Sequence, residues 1–115
     1  VKILDTSVFV HGPDRSFDDA VVVREVVEEV GSQGAQRALR LADPEVVSPK
    51  SRFLNQVRCR ASDLNYSFSK ADVASAATAL GRSAQLVSDD KPLLSMCEQL
   101  DIDAQGYTVS LRSRD

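Results

Sequence analysis

Short apolar runs alternate with longer amphipathic segments along this chain, and this alternation predicts its secondary structure. The runs VKIL, VVV, EVVS and AQLV predict β-strands at residues 1–4, 21–23, 45–48 and 84–87, and a weaker run predicts a last strand at 102–108. The intervening segments show helical spacing. Strands that alternate with helices are typical of parallel sheets. We therefore predict an α/β fold of three layers, with four to five parallel strands and helices on both faces.

Two of the predicted helices have distinctive patterns. The helix after the second strand has the apolar stripe Val23, Val26, Val27 and Val30, with glutamates on its other side. The helix that begins at Ser69 is rich in small residues, which would let it lie close to the sheet, and Gly81 is expected to end it.

Length and composition indicate one domain of an ordinary water-soluble type. We assign residues 1–109 to the domain and 110–115 to a tail or the start of a linker. No run approaches the roughly 18 apolar residues of a membrane span, so we expect a cytoplasmic protein without a membrane partner. Cys59 and Cys97 lie far apart in helical patterns. We expect both to be buried free thiols, and the absence of a paired CxxC predicts no zinc.

The charges are unevenly distributed. The 14 basic and 17 acidic residues leave a formal net charge of −3, which does not by itself favour nucleic-acid binding. Residues 34–62, however, carry six basic residues against Asp43 and Glu45, a local charge of +4 that leaves −7 for the rest. Residues 34–62 therefore form a basic segment, whereas the rest of the chain is net acidic.

Acidic residues recur where strands end and helices begin. Asp5 follows the first strand, Asp89 and Asp90 follow the fourth, and Asp72 opens a helix. In a parallel sheet these positions gather at one edge. Clustered carboxylates repel one another and normally hold a divalent cation, and oxygen ligands without His or Cys favour Mg²⁺ or Mn²⁺. The alternative is that the acids only cap helices: Asp72 follows Ser69 at capping-box spacing, and Asp89 or Asp90 precedes a helix.

Four segments resemble the signature blocks of PIN-domain nucleases: ILDTS, VVREVVEEV, FSKADVASAATAL and LVSDD, in the order that the family shows. The resemblance implies a small α/β/α fold whose four acids bind Mg²⁺ or Mn²⁺. It also implies metal-dependent endonucleolytic cleavage of single-stranded RNA by an activated water.

The resemblance carries over to particular positions. Asp5 matches the first acid of the family, Asp72 the acid of the middle block, and Asp90 the last acid. Glu29 matches the family glutamate better than Glu28, although helical spacing alone does not separate the two. The residues expected to orient these acids are Ser7, Ser88 and Asp89. The residues expected to contact RNA phosphates are Arg37, Arg40, Lys50, Arg52, Arg58 and Arg60.

The REVVEEV and LVSDD segments are more similar to the branch that matures the 3′ end of small-subunit ribosomal RNA, so the partner expected first is single-stranded RNA of that kind. Members of this branch usually carry a C-terminal zinc ribbon, whose cysteines are absent here. Two alternatives stay open: a toxin ribonuclease of a toxin–antitoxin pair, and a non-catalytic module that binds RNA or protein. Dimers are common in the family, so a homodimer is a further expectation.

Overall fold

The structure is a computed structural model that describes residues 1–10, 20–65 and 67–106. The tail predicted at 110–115 and the end of the strand predicted at 102–108 lie outside the described residues.

Strands and helices alternate along the described residues. The strands are β1 (Lys2–Leu4), β2 (Ala20–Val23), β3 (Glu45–Val47), β4 (Gln85–Val87) and β5 (Ala104–Gln105). The helices are α1 (Thr6–Val10), α2 (Arg24–Glu29), α3 (Gln33–Ala42), α4 (Ser51–Asp63), α5 (Lys70–Arg82) and α6 (Lys91–Gln99). None of these described helices combines the length and the apolar character that crossing a membrane requires.

The five strands form one parallel sheet in the order β3-β2-β1-β4-β5. The chain moves outward from β1 in one direction through β2 and β3, and in the other direction through β4 and β5. The order therefore reverses between β1 and β4, and ligands of open α/β sheets bind outside the carboxyl ends of the strands at such a point. The predicted α/β class and the parallel sheet are confirmed.

Helices cover both faces of this sheet. Successive strand residues point to opposite faces. Leu4, Val22 and Val87 join one apolar cluster with α1, α2 and α3, whereas their neighbours Ile3, Val21 and Leu86 join a second cluster with α4 and α6. The molecule thus has three layers, as the unbroken apolar character of the strands predicts.

Helix α5 is the most enclosed helix of the described residues. Except for Asp72, every residue from Ala71 to Ala79 is buried, and the helix contributes to both apolar clusters. It packs against α2, α4 and strands β1, β2 and β4. The small side chains allow this close approach, as the sequence predicts.

Several local predictions differ from the structure. Gly81 does not end α5: the helix continues to Arg82 and is closed by Ser83, which adopts a left-handed conformation with φ of 51°. Val27 is exposed, because α2 is only six residues long and buries Val26. Cys59 is exposed rather than buried, because α4 turns Val57 and Ala61 inward instead. Cys97 is buried, and both thiols are free.

Two helical glycines provide a test of this packing. A Cβ built at Gly81 would lie 2.7 Å from the ring of Phe53, whereas one at Gly34 in α3 would meet nothing within 4 Å. Alanine is the better helix former by about 0.5–1 kcal/mol. We expect Gly34→Ala to raise the free energy of unfolding by roughly this amount, and Gly81→Ala to lower it because Phe53 must move.

Urea denaturation of the two variants and the wild type measures this difference. An equal gain in stability for both variants would contradict the close contact between α5 and Phe53.

Candidate functional site

Asp5 lies at the reversal point of the sheet, directly after β1. The register pairs Leu4 with Val87, so Asp5 lies level with Ser88 on the neighbouring strand. The Asp5 amide donates to the carbonyl of Val87 at 3.1 Å, which continues the ladder by one residue. The side chain is only 1% exposed. A carboxylate in this position needs partners, because burying an unpaired charge is costly.

Two serine hydroxyls hold one oxygen of Asp5. Ser88 Oγ donates to Asp5 Oδ2 at 2.9 Å and Ser7 Oγ donates to the same oxygen at 3.3 Å. Each hydroxyl also accepts a backbone N–H, Ser7 from Asp89 and Ser88 from Asp90, both at 3.0 Å. The two hydroxyls lie 3.3 Å apart. Because each serine oxygen already accepts an amide proton, its own proton is free to point at Asp5.

A second acid lies close to Asp5. Asp5 Oδ1 is buried without a conventional hydrogen-bond donor, and the Asp72 carboxyl lies against Asp5. Burial, the charge of Asp5 and a hydrogen bond with Asp5 raise the pKa of Asp72 to about 7, and the charge of Asp90 adds to this. A carboxyl group with this pKa is partly protonated at neutral pH, and a proton between the two acids lowers their repulsion.

Asp72 and Asp90 also cap helices, so capping and clustering are not exclusive. Ser69 Oγ accepts the Asp72 amide at 3.1 Å, and a return hydrogen bond from the Ser69 backbone acts to lower the Asp72 pKa. This reciprocal pair is a capping box at the start of α5. Asp90 Oδ1 accepts the Leu93 amide at 3.3 Å as the N-cap of α6. The caps hold both carboxylates at the helix ends.

The two glutamates predicted from the sequence are exposed, and a third glutamate on the same helix is partly buried. Glu28 and Glu29 are exposed on α2. Glu25, in the first turn of the same helix, is half-buried, and its Oε2 is buried without a hydrogen-bond partner. Helix α2 directly follows β2, and β2 neighbours β1. Glu25, in the first turn of α2, therefore lies at the same edge of the sheet as Asp5. It lies two residues after the last valine of β2, and this position distinguishes it from Glu28 and Glu29.

The donor set suits a hard divalent cation. Four buried side-chain oxygens among the described residues lack partners: Asp5 Oδ1, Thr6 Oγ1, Glu25 Oε2 and Ser75 Oγ. Each costs about 1–3 kcal/mol when unsatisfied. Two are carboxylate oxygens, which Mg²⁺ and Mn²⁺ prefer. Within residues 1–10, 20–65 and 67–106, no three acidic, His or Cys side chains converge closely enough to enclose an ion. Binding therefore requires side-chain rotation.

A buried thiol lies on the α6 side of this site. Burial and the charge of Asp5 raise the pKa of Cys97 to about 12. At neutral pH the thiol is therefore protonated and behaves as a small apolar side chain.

The six predicted RNA-contacting residues do not form one surface. Arg37 and Arg40 lie on α3, which packs in the first apolar cluster, whereas Lys50, Arg52, Arg58 and Arg60 belong to α4 or its N-cap, and α4 packs in the second. Five of the six are exposed and Arg60 is half-buried. The guanidinium of Arg52 lies 4.7 Å from the centroid of the Phe53 ring.

Comparison with solved structures identifies the fold. VapBC2 from Rickettsia felis, bound to a DNA fragment from their promoter, matches with a TM-score of 0.66 and 13% identity over 91% of this chain and 97% of that chain. VapBC-1 from nontypeable Haemophilus influenzae matches at 0.65 and 15%, over 93% and 98%. FitAcB from Neisseria gonorrhoeae matches at 0.60 and 18%, over 90% and 96%.

No protein-family model and no curated protein matches the chain. Identities below one in five show a shared fold and nothing finer, and that fold is PIN-like, as the sequence resemblance implies.

The contact between Asp5 and Asp72 predicts a pH-dependent stability. Because the folded-state pKa of Asp72 is raised from 3.8 to about 7, the folded chain keeps a proton that the unfolded chain releases between these values. Stability from this group is therefore present at low pH and lost as pH rises toward 7. We expect Asp72→Asn to raise the melting temperature of the metal-free protein at pH 8, and to raise it much less at pH 5.

Thermal melts in EDTA at the two pH values measure the effect. Asp63→Asn, at the exposed end of α4, is the matched control and should change the melting temperature equally at both. An Asp72→Asn effect that is also independent of pH would contradict the carboxyl contact.

Proposed function

We propose that this protein is a metal-dependent endoribonuclease that cleaves single-stranded RNA. The observation that carries the proposal is the contact of two carboxyl groups, Asp5 and Asp72, at the reversal point of a PIN-like sheet, with Asp90 close enough to raise the pKa of Asp72. Helix capping explains Asp72 and Asp90 but not the Asp5 side chain, which accepts hydrogen bonds from Ser7 and Ser88 and is buried beside another acid. A structural role alone leaves that burial unexplained.

Asp5, Asp72 and Asp90 are the residues that would hold Mg²⁺ or Mn²⁺, with a glutamate of α2 as the fourth. We propose Glu25 for this place, because its carboxylate is partly buried and unpartnered, whereas Glu29 is exposed one turn further along. A cation held by these residues would neutralise the clustered carboxylates, lower the pKa of a water molecule and stabilise charge during phosphoryl displacement.

The chain's own residues prepare this chemistry. Ser7 and Ser88 orient Asp5 through Oδ2 and leave Oδ1 directed away from them. With its pKa raised to about 7, Asp72 is partly protonated at neutral pH in the metal-free protein, and a cation held there would displace that proton. The products expected from attack by water are a 5′-phosphate and a 3′-hydroxyl.

The class of RNA substrate rests on weaker support. The VapBC neighbours are toxin–antitoxin assemblies, which favours a toxin ribonuclease over ribosomal RNA maturation. Maturation of ribosomal RNA is supported only by the REVVEEV and LVSDD segments and stays a prediction. Mapping the cleavage sites distinguishes the two functions. Cleavage at the 3′ end of small-subunit ribosomal RNA would support maturation. Cleavage of other RNAs, suppressed by the product of a neighbouring gene, would support the toxin.

Cleavage of a labelled single-stranded RNA tests the activity. We expect cutting with Mn²⁺ or Mg²⁺, none with EDTA, and a loss of about 100-fold or more in Asp5→Asn, because even residues that only orient metal ligands are worth 10–100-fold. Cutting that persists in Asp5→Asn comes from a contaminant. No cutting by the wild type on any RNA, with no Mn²⁺ bound in calorimetry, would favour the non-catalytic alternative.

The same assay distinguishes the two glutamates of α2. We expect Glu25→Gln to weaken Mn²⁺ binding and cleavage by roughly 10–100-fold, and Glu29→Gln, an equal charge change on the exposed face of the same helix, to leave both close to wild type. A larger loss in Glu29→Gln than in Glu25→Gln would instead support Glu29 as the metal-binding glutamate.

A further inference from the structure

Helices α4 and α5 line an open cavity near the start of α5. Its volume is about 570 Å³, and its walls come from the end of α4, the residues between the helices and the first turn of α5. Two cations line it, Arg58 and Lys70, together with the polar side chains of Ser62, Asn65 and Ser69. Asp72 follows Lys70 by two residues in the first turn of α5, so the cavity and the acidic site share the start of this helix.

A second cavity lies between the same helices at the other end of α5. It has a volume of about 140 Å³ and is lined by three cations, Lys50, Arg52 and Arg82. The ring of Phe53 also lines it, against Gly81, where no Cβ fits, and the Arg52 guanidinium lies over this ring. Helix α4 begins here without a side-chain cap. The Phe53 amide already donates to the Lys50 carbonyl at 3.1 Å, so only the amides that precede Phe53 in the first turn are available to an anion.

Charge makes these cavities unusual for this chain. The protein has a net charge of −3, yet five cationic side chains and no carboxylate line the two cavities. Among the described residues, none of the five has a carboxylate partner in an ion pair. Unpaired cations that converge on concave surfaces are suited to phosphate groups.

We infer that the face formed by α4 and α5, defined by Lys50, Arg52, Arg58, Lys70 and Arg82, binds the sugar–phosphate backbone of RNA and leads it to the acidic site. This inference rests on the proposed function and makes it more specific, because it selects one of the two basic surfaces predicted from the sequence. The phosphates bind at the two cavities, and Arg37 and Arg40 on α3 take no part.

The separation of the cavities sets the length of RNA required. Lys70 and Arg82 are the first and last residues of α5, and at about 1.5 Å per residue they are about 18 Å apart along the helix axis. At a stacked rise of about 3.4 Å, this distance corresponds to about five nucleotides. A trinucleotide therefore occupies one cavity, whereas a 12-mer reaches both.

Fluorescence anisotropy with a labelled 12-nucleotide single-stranded RNA in EDTA tests the inference without any cleavage. We compare Arg58→Gln/Arg82→Gln with Arg37→Gln/Arg40→Gln, which removes the same charge from α3. We expect the first variant to bind roughly tenfold more weakly or worse, and its slope of log affinity against log salt to fall by about 1.4, or 0.7 for each lost phosphate contact. The α3 variant should keep the wild-type slope.

Equal losses in the two double variants would overturn the inference, because only net charge would then matter. A loss confined to the α3 variant would move the RNA to the other surface. Arg82→Gln alone adds a second criterion: it should weaken binding of the 12-mer more than that of a trinucleotide, which can still occupy the cavity lined by Arg58 and Lys70. Equal weakening of both would also overturn the inference.

This experiment is separable from the proposed catalysis. The protein could bind RNA through the α4–α5 face and yet cleave no RNA with Mn²⁺. That result would support the binding surface and reject the proposed nuclease activity. In the opposite case, the wild type cleaves RNA with metal, and Arg58→Gln/Arg82→Gln binds and cleaves RNA as well as the wild type does. That result would support the nuclease and reject the binding surface.

Discussion

The buried carboxylate of Asp5 is the constraint on which the rest of the site depends. It lies where the strand order reverses, level with Ser88 across the ladder, and Ser88 and Ser7 hold only its Oδ2. Those two hydroxyls in turn accept the amides of Asp89 and Asp90, so the chain after β4 is tied to the end of β1. One side chain therefore positions both strand ends.

The opposite side of Asp5 carries an unfavourable interaction. Asp72 lies against it, and burial and charge raise the pKa of Asp72 to about 7. The fold maintains this contact by anchoring Asp72 and Asp90 in helix caps, which are locally stabilising. Local strain of this kind tends to persist at functional sites, where a ligand relieves it. In the proposed function a cation relieves this repulsion, whereas in the metal-free protein the raised pKa of Asp72 favours a proton there.

Much of this arrangement could be predicted from the sequence, because strand and helix periodicity is local. Alternating apolar runs identified the parallel sheet, and the run closing on Asp5 placed that acid at its carboxyl edge. The strand order could not be predicted, because it depends on long-range pairing. The helical pattern alone could not predict which glutamate of α2 is partly buried, because Glu25, Glu28 and Glu29 all lie off the valine stripe. The structure shows that it is Glu25, in the first turn of α2 after β2. Likewise, the basic residues formed one group in sequence, but α3 and α4 lie in different apolar clusters.

The central proposal is that Asp5 binds a cation through Oδ1, together with Asp72 and Glu25. Anomalous diffraction at the manganese edge, from crystals soaked in Mn²⁺, tests this proposal most directly. We expect an anomalous peak in coordination range of Asp5 Oδ1 and Asp72, with the Glu25 carboxylate turned toward it directly or through one water. A peak confined to exposed acids such as Glu28 and Glu29, or none at Asp5 in a crystal that binds Mn²⁺ elsewhere, would contradict it.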